Sequence, residues 1–175
     1  MKKSQILLRW LPTFLAFPLG GLIAALALGP IRDPLSAAVS GAVVGCSLGI
    51  AQWWALKPLR VSFDWAWSTA VALMIASPLA WAAVSYSTSI EALSLWGLIA
   101  GALVGFGQAL SQRLKLKQLL IWTLLVSPTW GFAWLISANV IVDADANYAI
   151  FGSTGAITAT IILGFFINRL LSKKN

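Results

Sequence analysis

The sequence predicts an all-α membrane protein, a polytopic helical bundle of six transmembrane helices built as three related helical hairpins. Of its 175 residues, 59% are hydrophobic and 10% are charged, whereas an ordinary soluble domain has about 25% charged residues. The mean hydropathy of +0.87 exceeds what one aqueous core could bury. Six long apolar runs alternate with short polar connections. We therefore expect a single integral-membrane domain over residues 1–175.

Each apolar run is long enough to cross the hydrocarbon core, which takes about 20 residues. Charge, proline and glycine interrupt the runs and mark their ends. In chain order the expected spans are 6–28, 35–56, 65–86, 93–110, 119–142 and 149–171, which pair into hairpins at approximately 6–56, 65–110 and 119–171. A cleaved signal peptide is the competing interpretation of the first run. That run is longer than the roughly 7 to 15 apolar residues of a signal core.

The positions of the cations predict the orientation, because Lys and Arg in short loops resist translocation. Eleven of the twelve cations lie before or at the start of span one, after spans two and four, or at the end of span six. Only Arg32 lies on the other side. We expect both termini in the cytoplasm, with the protein in a plasma or inner membrane, or in a thylakoid if the source is photosynthetic.

Spans two and four share one pattern of small residues. Three glycines and a glutamine recur with a constant offset of 56, as Gly41, Gly45, Gly49 and Gln52, and again as Gly97, Gly101, Gly105 and Gln108. At 3.6 residues per turn these four positions share a narrow helix face. The third hairpin retains the face only loosely, as Gly152, Gly155 and Ala159, with no glutamine at the matching place.

The odd-numbered spans share a tryptophan followed by a proline. The pairs are Trp10 with Pro18, Trp67 with Pro78, and Trp122 with Pro128. A proline inside a helix removes a backbone hydrogen bond, so these three are expected to kink their helices. The kinks are either fixed bends that serve packing or an opening for a pocket or hinge.

The motif Gly-x3-Gly-x3-Gly-x2-Gln-Trp, which ends here at Gln52-Trp53-Trp54, resembles a loose group of uncharacterised multi-pass membrane proteins of cyanobacteria and other bacteria. The likeness covers two stretches of about 15 residues, and in the second stretch Ala109 replaces the tryptophan. The resemblance implies a membrane protein and supplies no activity.

The glycine faces and the two glutamines are the candidate functional positions. Small residues let helix backbones approach closely in lipid, which favours helix packing. A flat glycine face could instead receive a carotenoid, a chlorin ring or a partner subunit. Gln52 and Gln108 are expected to bond across helices; the alternatives are an axial oxygen ligand to chlorophyll magnesium or a contact to substrate.

Nine of the ten tryptophans are expected to lie in belts at the two membrane interfaces. The outer belt would contain Trp81, Trp130 and Trp134, for which the alternative is a place in or near the outer half of a pocket opened by the prolines. The inner belt would contain Trp10, Trp53, Trp54, Trp65, Trp67 and Trp122. Cys46 is expected to be a packing residue.

The composition argues against metal sites, nucleophilic catalysis, proton relays and nucleic-acid binding. The chain has no histidine and one cysteine, which removes the common metal ligands and nucleophile–base pairs. Asp143, Asp145 and Asn147 resemble the start of a calcium loop but lack its later glycine and glutamate. Buried charges, which proton relays require, are missing from the spans apart from Arg9 near one end. The scattered cations form no stripe for nucleic acid.

We therefore expect a non-catalytic protein without a metal site. The first functional hypothesis is a membrane subunit or assembly factor that packs into a larger complex or against itself, with chlorophyll or carotenoid as its pigment in a photosynthetic membrane. The second is a small-solute binding or transport protein, because six spans and this length resemble the substrate-capture subunit of an energy-coupling-factor importer. An oligomeric channel or a lipid-handling protein is the third.

Overall fold

The computed structural model describes residues 3–85, 87–140 and 152–172, which form helices joined by short turns with no strand among them. The first span is composed of α1, a 3-10 segment and α2, at Lys3–Trp10, Leu11–Leu15 and Ala16–Leu28. The helices that follow are α3 (Pro34–Leu56), α4 (Asp64–Ala83), α5 (Ile90–Ser111), α6 (Leu116–Val140) and α7 (Ser153–Ser172). The predicted all-α class is confirmed for these residues.

Five helical segments are long and apolar enough to cross a membrane. They are Gln5–Leu28, Pro34–Leu59, Asp64–Ala83, Ile90–Ser111 and Leu116–Val140. Large apolar side chains lie on their outer surfaces, for example Leu26 at 73% and Leu124 at 70% exposed, as expected where lipid is the solvent. The apolar part of α7 that the structure describes, Ser153–Ile167, is shorter than these five. The sixth span, the three-hairpin arrangement and the orientation stay predictions.

Side-chain caps fix where two of the spans begin. Asp33 Oδ1 accepts a hydrogen bond from the Ser36 backbone N–H at 2.7 Å, and Ser36 Oγ accepts one from the Asp33 N–H at 3.1 Å. Pro34 occupies the first helical position, where its missing N–H has no helical partner to lose. At the start of α5, Ser89 Oγ accepts a hydrogen bond from the Ala92 N–H at 3.2 Å.

The ends of α3 and α5 turn in the same way. Arg60 has φ 57° and Arg113 has φ 53°, which is the left-handed region that side chains rarely adopt. Each arginine follows the helix that carries a glycine face. The two predicted cytoplasmic loops therefore reverse the chain by a matching turn.

The first span changes from α-helix to 3-10 geometry at a proline that the sequence argument did not select. The 3-10 segment begins at Leu11 and contains Pro12, whereas Pro18 is the third residue of α2. A proline in a first helical turn is tolerated because the N–H groups there lack intrahelical acceptors. Pro78 and Pro128 lie inside α4 and α6. Kinks at these three prolines stay predictions.

Consecutive helices pack against one another, from α2 on α3 through to α6 on α7, and α7 packs back against the 3-10 segment of the first span. The described helices therefore close into a ring. The most extensive contacts join α3 with α4 and α5 with α6. Each of these pairs joins two different hairpins of the sequence prediction, because α3 ends the first hairpin and α4 starts the second, and α5 ends the second and α6 starts the third.

Candidate functional site

The glycine face of α3 is pressed against α4. A Cβ atom added at Gly45 would lie 2.7 Å from Ala70 Cα, and one added at Gly49 would lie 2.7 Å from the Ala66 carbonyl oxygen. At Gly41 the added atom would meet the Ser77 hydroxyl and a backbone carbonyl of α4. Real Cβ atoms do not approach backbone this closely, so only glycine permits this helix spacing.

The glycine face of α5 contacts α6 in the same manner. A Cβ at Gly101 would lie 2.9 Å from the Val126 carbonyl oxygen, and one at Gly97 would lie 2.6 Å from the Trp130 carbonyl oxygen. At Gly105 the nearest atom would be Thr123 Cα at 3.0 Å. Both glycine faces therefore contact helices of this chain, which leaves no open flat surface on them for a pigment.

Gln52 and Gln108 meet at the centre of the helix ring. Gln108 Nε2 donates to Gln52 Oε1 at 3.0 Å and to Thr69 Oγ1 at 3.0 Å. Gln52 Oε1 also accepts from Trp65 Nε1 at 3.1 Å, and Gln108 Oε1 accepts from Trp122 Nε1 at 3.1 Å. All five side chains are buried. Each glutamine thus accepts an indole N–H from the helix that follows its own.

The hydrogen bonds determine which way each amide points. An indole N–H can only donate, so the group facing Trp122 must be the Gln108 oxygen, and Gln108 therefore directs its NH2 group to Gln52. Gln52 must then present its oxygen to both Gln108 and Trp65. A magnesium bond from the Gln52 oxygen would replace two existing hydrogen bonds, and one from Gln108 would displace the Trp122 indole.

The structure corrects the assignment of tryptophans to the inner belt. Trp10, Trp65 and Trp122 are 1%, 0% and 1% exposed and belong to the core, where Trp10 Nε1 donates to the Thr160 carbonyl oxygen at 2.8 Å. The counterpart of Trp122 is Trp65 and not Trp67, which is 60% exposed. An indole N–H is stable in a core when it finds an acceptor, and the two glutamines and Thr160 provide one for each.

A buried glutamine at the predicted cytoplasmic end was missed by sequence reasoning. Gln112 is 1% exposed; its Oε1 accepts from the Ser62 N–H at 3.2 Å, and its Nε2 donates to Ser62 Oγ at 3.0 Å. These bonds join the loop after α3 to the end of α5. The repeat of Gln52 and Gln108 gave no signal for it, because Gln112 has no equivalent in the first copy.

Two cations lie against aromatic rings at the same end. The Arg9 guanidinium carbon is 4.4 Å from the Trp54 ring centroid, and its NH2 group donates to the Trp54 carbonyl oxygen at 2.8 Å. Lys57 Nζ lies 5.5 Å from the Trp53 ring. Such contacts suit cations at an interface. Both surfaces are partly exposed, and neither belongs to the buried network.

A cavity with about 40 Å³ of room, open on one side, lies between the first span, α3, α6 and α7. Five aromatic side chains contribute to its walls: Trp10, Phe14, Phe17, Trp130 and Trp134. Gln52 and Leu48 line it from α3, and one face of α7 contributes further lining residues. None of the fifteen described lining residues is charged.

The cavity wall contains polar groups without a protein partner. Among the described residues, Gln52 Nε2 has no hydrogen-bond acceptor, and the Thr160 hydroxyl has no partner. Both residues are 6% exposed. Among the described residues, the fully buried side-chain atoms without a partner are Arg9 Nε and Thr123 Oγ1. Gln52 Nε2 and the Thr160 hydroxyl are not among these enclosed atoms, so each marks a place where a bound molecule would gain a bond.

No group of three or more metal-binding side chains occurs in the part of the chain that the structure describes. Asp143, Asp145 and Asn147 lie outside the described residues. Cys46 is partly buried within α3 and forms no disulfide.

No family model, curated protein or solved structure matches the chain. The chemistry of the cavity and of the glutamine pair therefore has to be inferred from their own side chains.

Proposed function

We propose that this chain is a non-catalytic integral membrane protein that binds a small, neutral, mostly apolar molecule within its helix ring. The observation that carries the proposal is the aromatic cavity with unpartnered polar groups in its wall. Ligand sites are typically apolar concavities with a few polar groups that orient the ligand. This corresponds to the small-molecule binding hypothesis from the sequence.

The cavity residues support binding and not catalysis. Its described wall offers hydroxyl, amide and indole groups but no carboxylate, thiol or amine, so general acid–base chemistry has no group of suitable pKa to use. A charged molecule would also lose its hydration there without gaining an ion pair. The preferred occupant is therefore uncharged.

The hypothesis of a complex subunit that packs through its glycine faces is less well supported, since those faces contact α4 and α6 of the same chain. A partner would have to use the apolar outer surface instead, which lipid can also cover.

The proposal includes six spans with both termini in the cytoplasm. Five segments meet the length and hydropathy of a span, and α7 packs between α6 and the first span. A sixth crossing by α7 returns the C-terminus to the side of the N-terminus. Eleven of the twelve cations then lie in the cytoplasm.

The binding proposal can be tested by filling the cavity. Ala156 lines it, whereas the next residue, Ile157, is 39% exposed on the outer surface. Ala156→Phe should remove a bound molecule, and Ile157→Phe should retain it. The protein would be purified in mild detergent, its absorption spectrum recorded, and extracted small molecules quantified by mass spectrometry per mole of protein.

The two variants add the same aromatic ring to the same helix, so a general effect on insertion would affect both. A molecule present in the wild type and the Ile157→Phe variant but lost from Ala156→Phe supports the proposal. Equal amounts in all three proteins, or a stoichiometric partner chain with no bound small molecule, would contradict it.

A further inference from the structure

The two glutamines of the internal repeat form a series of buried hydrogen bonds that ends at Gln52, a residue of the cavity wall. In the second copy, Gln108 directs its Nε2 group to Gln52 Oε1 in the first copy. In the first copy, the Gln52 Nε2 group has no acceptor among the described residues. The donor that would continue the pattern around the ring is present, and its acceptor is missing.

The residues of α7 that share the cavity with Gln52 offer its amide no side-chain oxygen bond. Ala156, Thr160 and Leu163 line the same cavity as Gln52, and no hydrogen bond joins any of them to Gln52 among the described residues. The loose third copy of the glycine motif, Gly152, Gly155 and Ala159, also has no glutamine at the matching place. A glutamine placed at Leu163 would bring an amide oxygen to the wall of this cavity.

From this we infer that the occupant of the cavity carries a carbonyl oxygen that accepts a hydrogen bond from Gln52 Nε2. This inference rests on the proposed binding function and names the class of molecule. The Thr160 hydroxyl, one turn from Leu163 on the same wall, is a second donor toward the same region.

The rest of the wall narrows the class to a neutral ring compound such as a quinone or a cyclic ketone. Phe17 lies edge-on to both Trp130 and Trp134, with ring centroids 6.1 Å apart in each case, and such aromatic walls favour flat unsaturated rings. None of the described lining residues is charged, so the wall does not select for an acid or an amine.

A pair of probes separates the carbonyl contact from simple apolar binding. Menadione is a naphthoquinone, and methylnaphthalene has the same ring system without oxygen. Binding of each would be measured by equilibrium dialysis against the full-length protein in nanodiscs. The ratio of wild-type to variant affinity is used for each probe, because partition into lipid then cancels.

Two variants remove the free donor by different means. Gln52→Leu deletes the amide, and Leu163→Gln offers it a protein acceptor while leaving the Gln52–Gln108 and Gln52–Trp65 bonds in place. We expect each to weaken menadione binding about three- to tenfold, the effect of one lost hydrogen bond. Methylnaphthalene affinity should stay within about twofold. The Leu163→Gln variant keeps the test valid if Gln52→Leu fails to fold.

The outcomes distinguish the two proposals. If Ala156→Phe weakens neither probe, the cavity is not a binding site and the proposed function fails. Suppose instead that Ala156→Phe weakens the binding of both probes, while Leu163→Gln affects menadione and methylnaphthalene affinity equally or leaves both unchanged. The cavity then binds apolar molecules, and the carbonyl contact is refuted. Selective loss of menadione supports the inference.

Discussion

The tight helix contacts predict opposite effects for alanine at two glycines of the same protein. At Gly45 an added Cβ would lie 2.7 Å from Ala70 Cα and 2.9 Å from the Thr69 carbonyl oxygen. Both are backbone atoms that no rotamer change can move. At Gly107 the nearest atom would be 3.4 Å away, an ordinary contact. The substitution adds the same methyl group at both positions, so the variants differ only in the space around the new Cβ atom.

The magnitudes follow from two terms. Overpacking costs about 1 to 3 kcal/mol, and the upper half of that range applies to a contact made of backbone. Replacing glycine in a helix returns about 1 kcal/mol. Gly45→Ala should therefore lower the free energy of unfolding by about 1 to 2 kcal/mol, and Gly107→Ala should raise it by up to about 1 kcal/mol.

The assay is reversible unfolding in mixed micelles of mild detergent and sodium dodecyl sulfate, followed by tryptophan fluorescence. Gly101→Ala, whose added atom would lie 2.9 Å from the Val126 carbonyl oxygen, should resemble Gly45→Ala. Gly21→Ala, with nothing within 4 Å, should resemble Gly107→Ala. Indistinguishable unfolding free energies for all four variants would refute the close packing of α3 on α4 and of α5 on α6.

Three further predictions concern the glutamine pair, the turns and the orientation. Gln108→Leu should lower the free energy of unfolding by about 1 to 3 kcal/mol because it leaves the Trp122 N–H buried without an acceptor; in the same micelle titration, a loss no larger than that of Gln118→Leu would contradict this. Arg113→Gly should be about 1 kcal/mol more stable than Arg113→Ala, since φ is 53° there, and equal stabilities would refute the left-handed turn. Single cysteines at Lys57 and Lys115, in a Cys46→Ser background, should react with an impermeant maleimide only after the cells are opened, and labelling of intact cells would overturn the proposed orientation.

The helices could be predicted from the sequence because a membrane span depends on the composition of a continuous run. Two predicted spans start at residues 35 and 93, and the corresponding helices start at Pro34 and Ile90, where Asp33 and Ser89 provide caps. The end of α4 at Ala83 falls short of the predicted 86. Local capping and turn chemistry, which hydropathy does not measure, set these boundaries.

The glutamine pair is visible in the sequence because its two members repeat with one offset, but their partners are not. Trp65 and Trp67 are two residues apart in one helix, so hydropathy treats them alike, while the fold buries the first and exposes the second. Gln52 precedes Trp65 by 13 residues, and Gln108 precedes Trp122 by 14. That spacing is the signal that favours Trp65 over Trp67.

A pocket was one of the two alternatives that the prolines left open, but its walls could not be predicted from the sequence. They combine residues of the first span, α3, α6 and α7, which meet only when α7 closes the ring. Three-dimensional closure also brings Trp10 to Thr160, which are 150 residues apart. Contacts of that range leave no local pattern in a single sequence.

The side-chain amide of Gln52 provides the most direct test of the central claim, which is that this group projects into a ligand cavity. The chain has five glutamines, so protein labelled with nitrogen-15 at glutamine gives five side-chain amide signals, each assigned by a single replacement. On titration with menadione in nanodiscs, we expect the Gln52 signal to move and the Gln108 signal to remain. At equal occupancy methylnaphthalene should move the Gln52 signal less, because it exerts a ring current but accepts no hydrogen bond. A Gln52 signal that stays in place at saturating menadione would contradict the account.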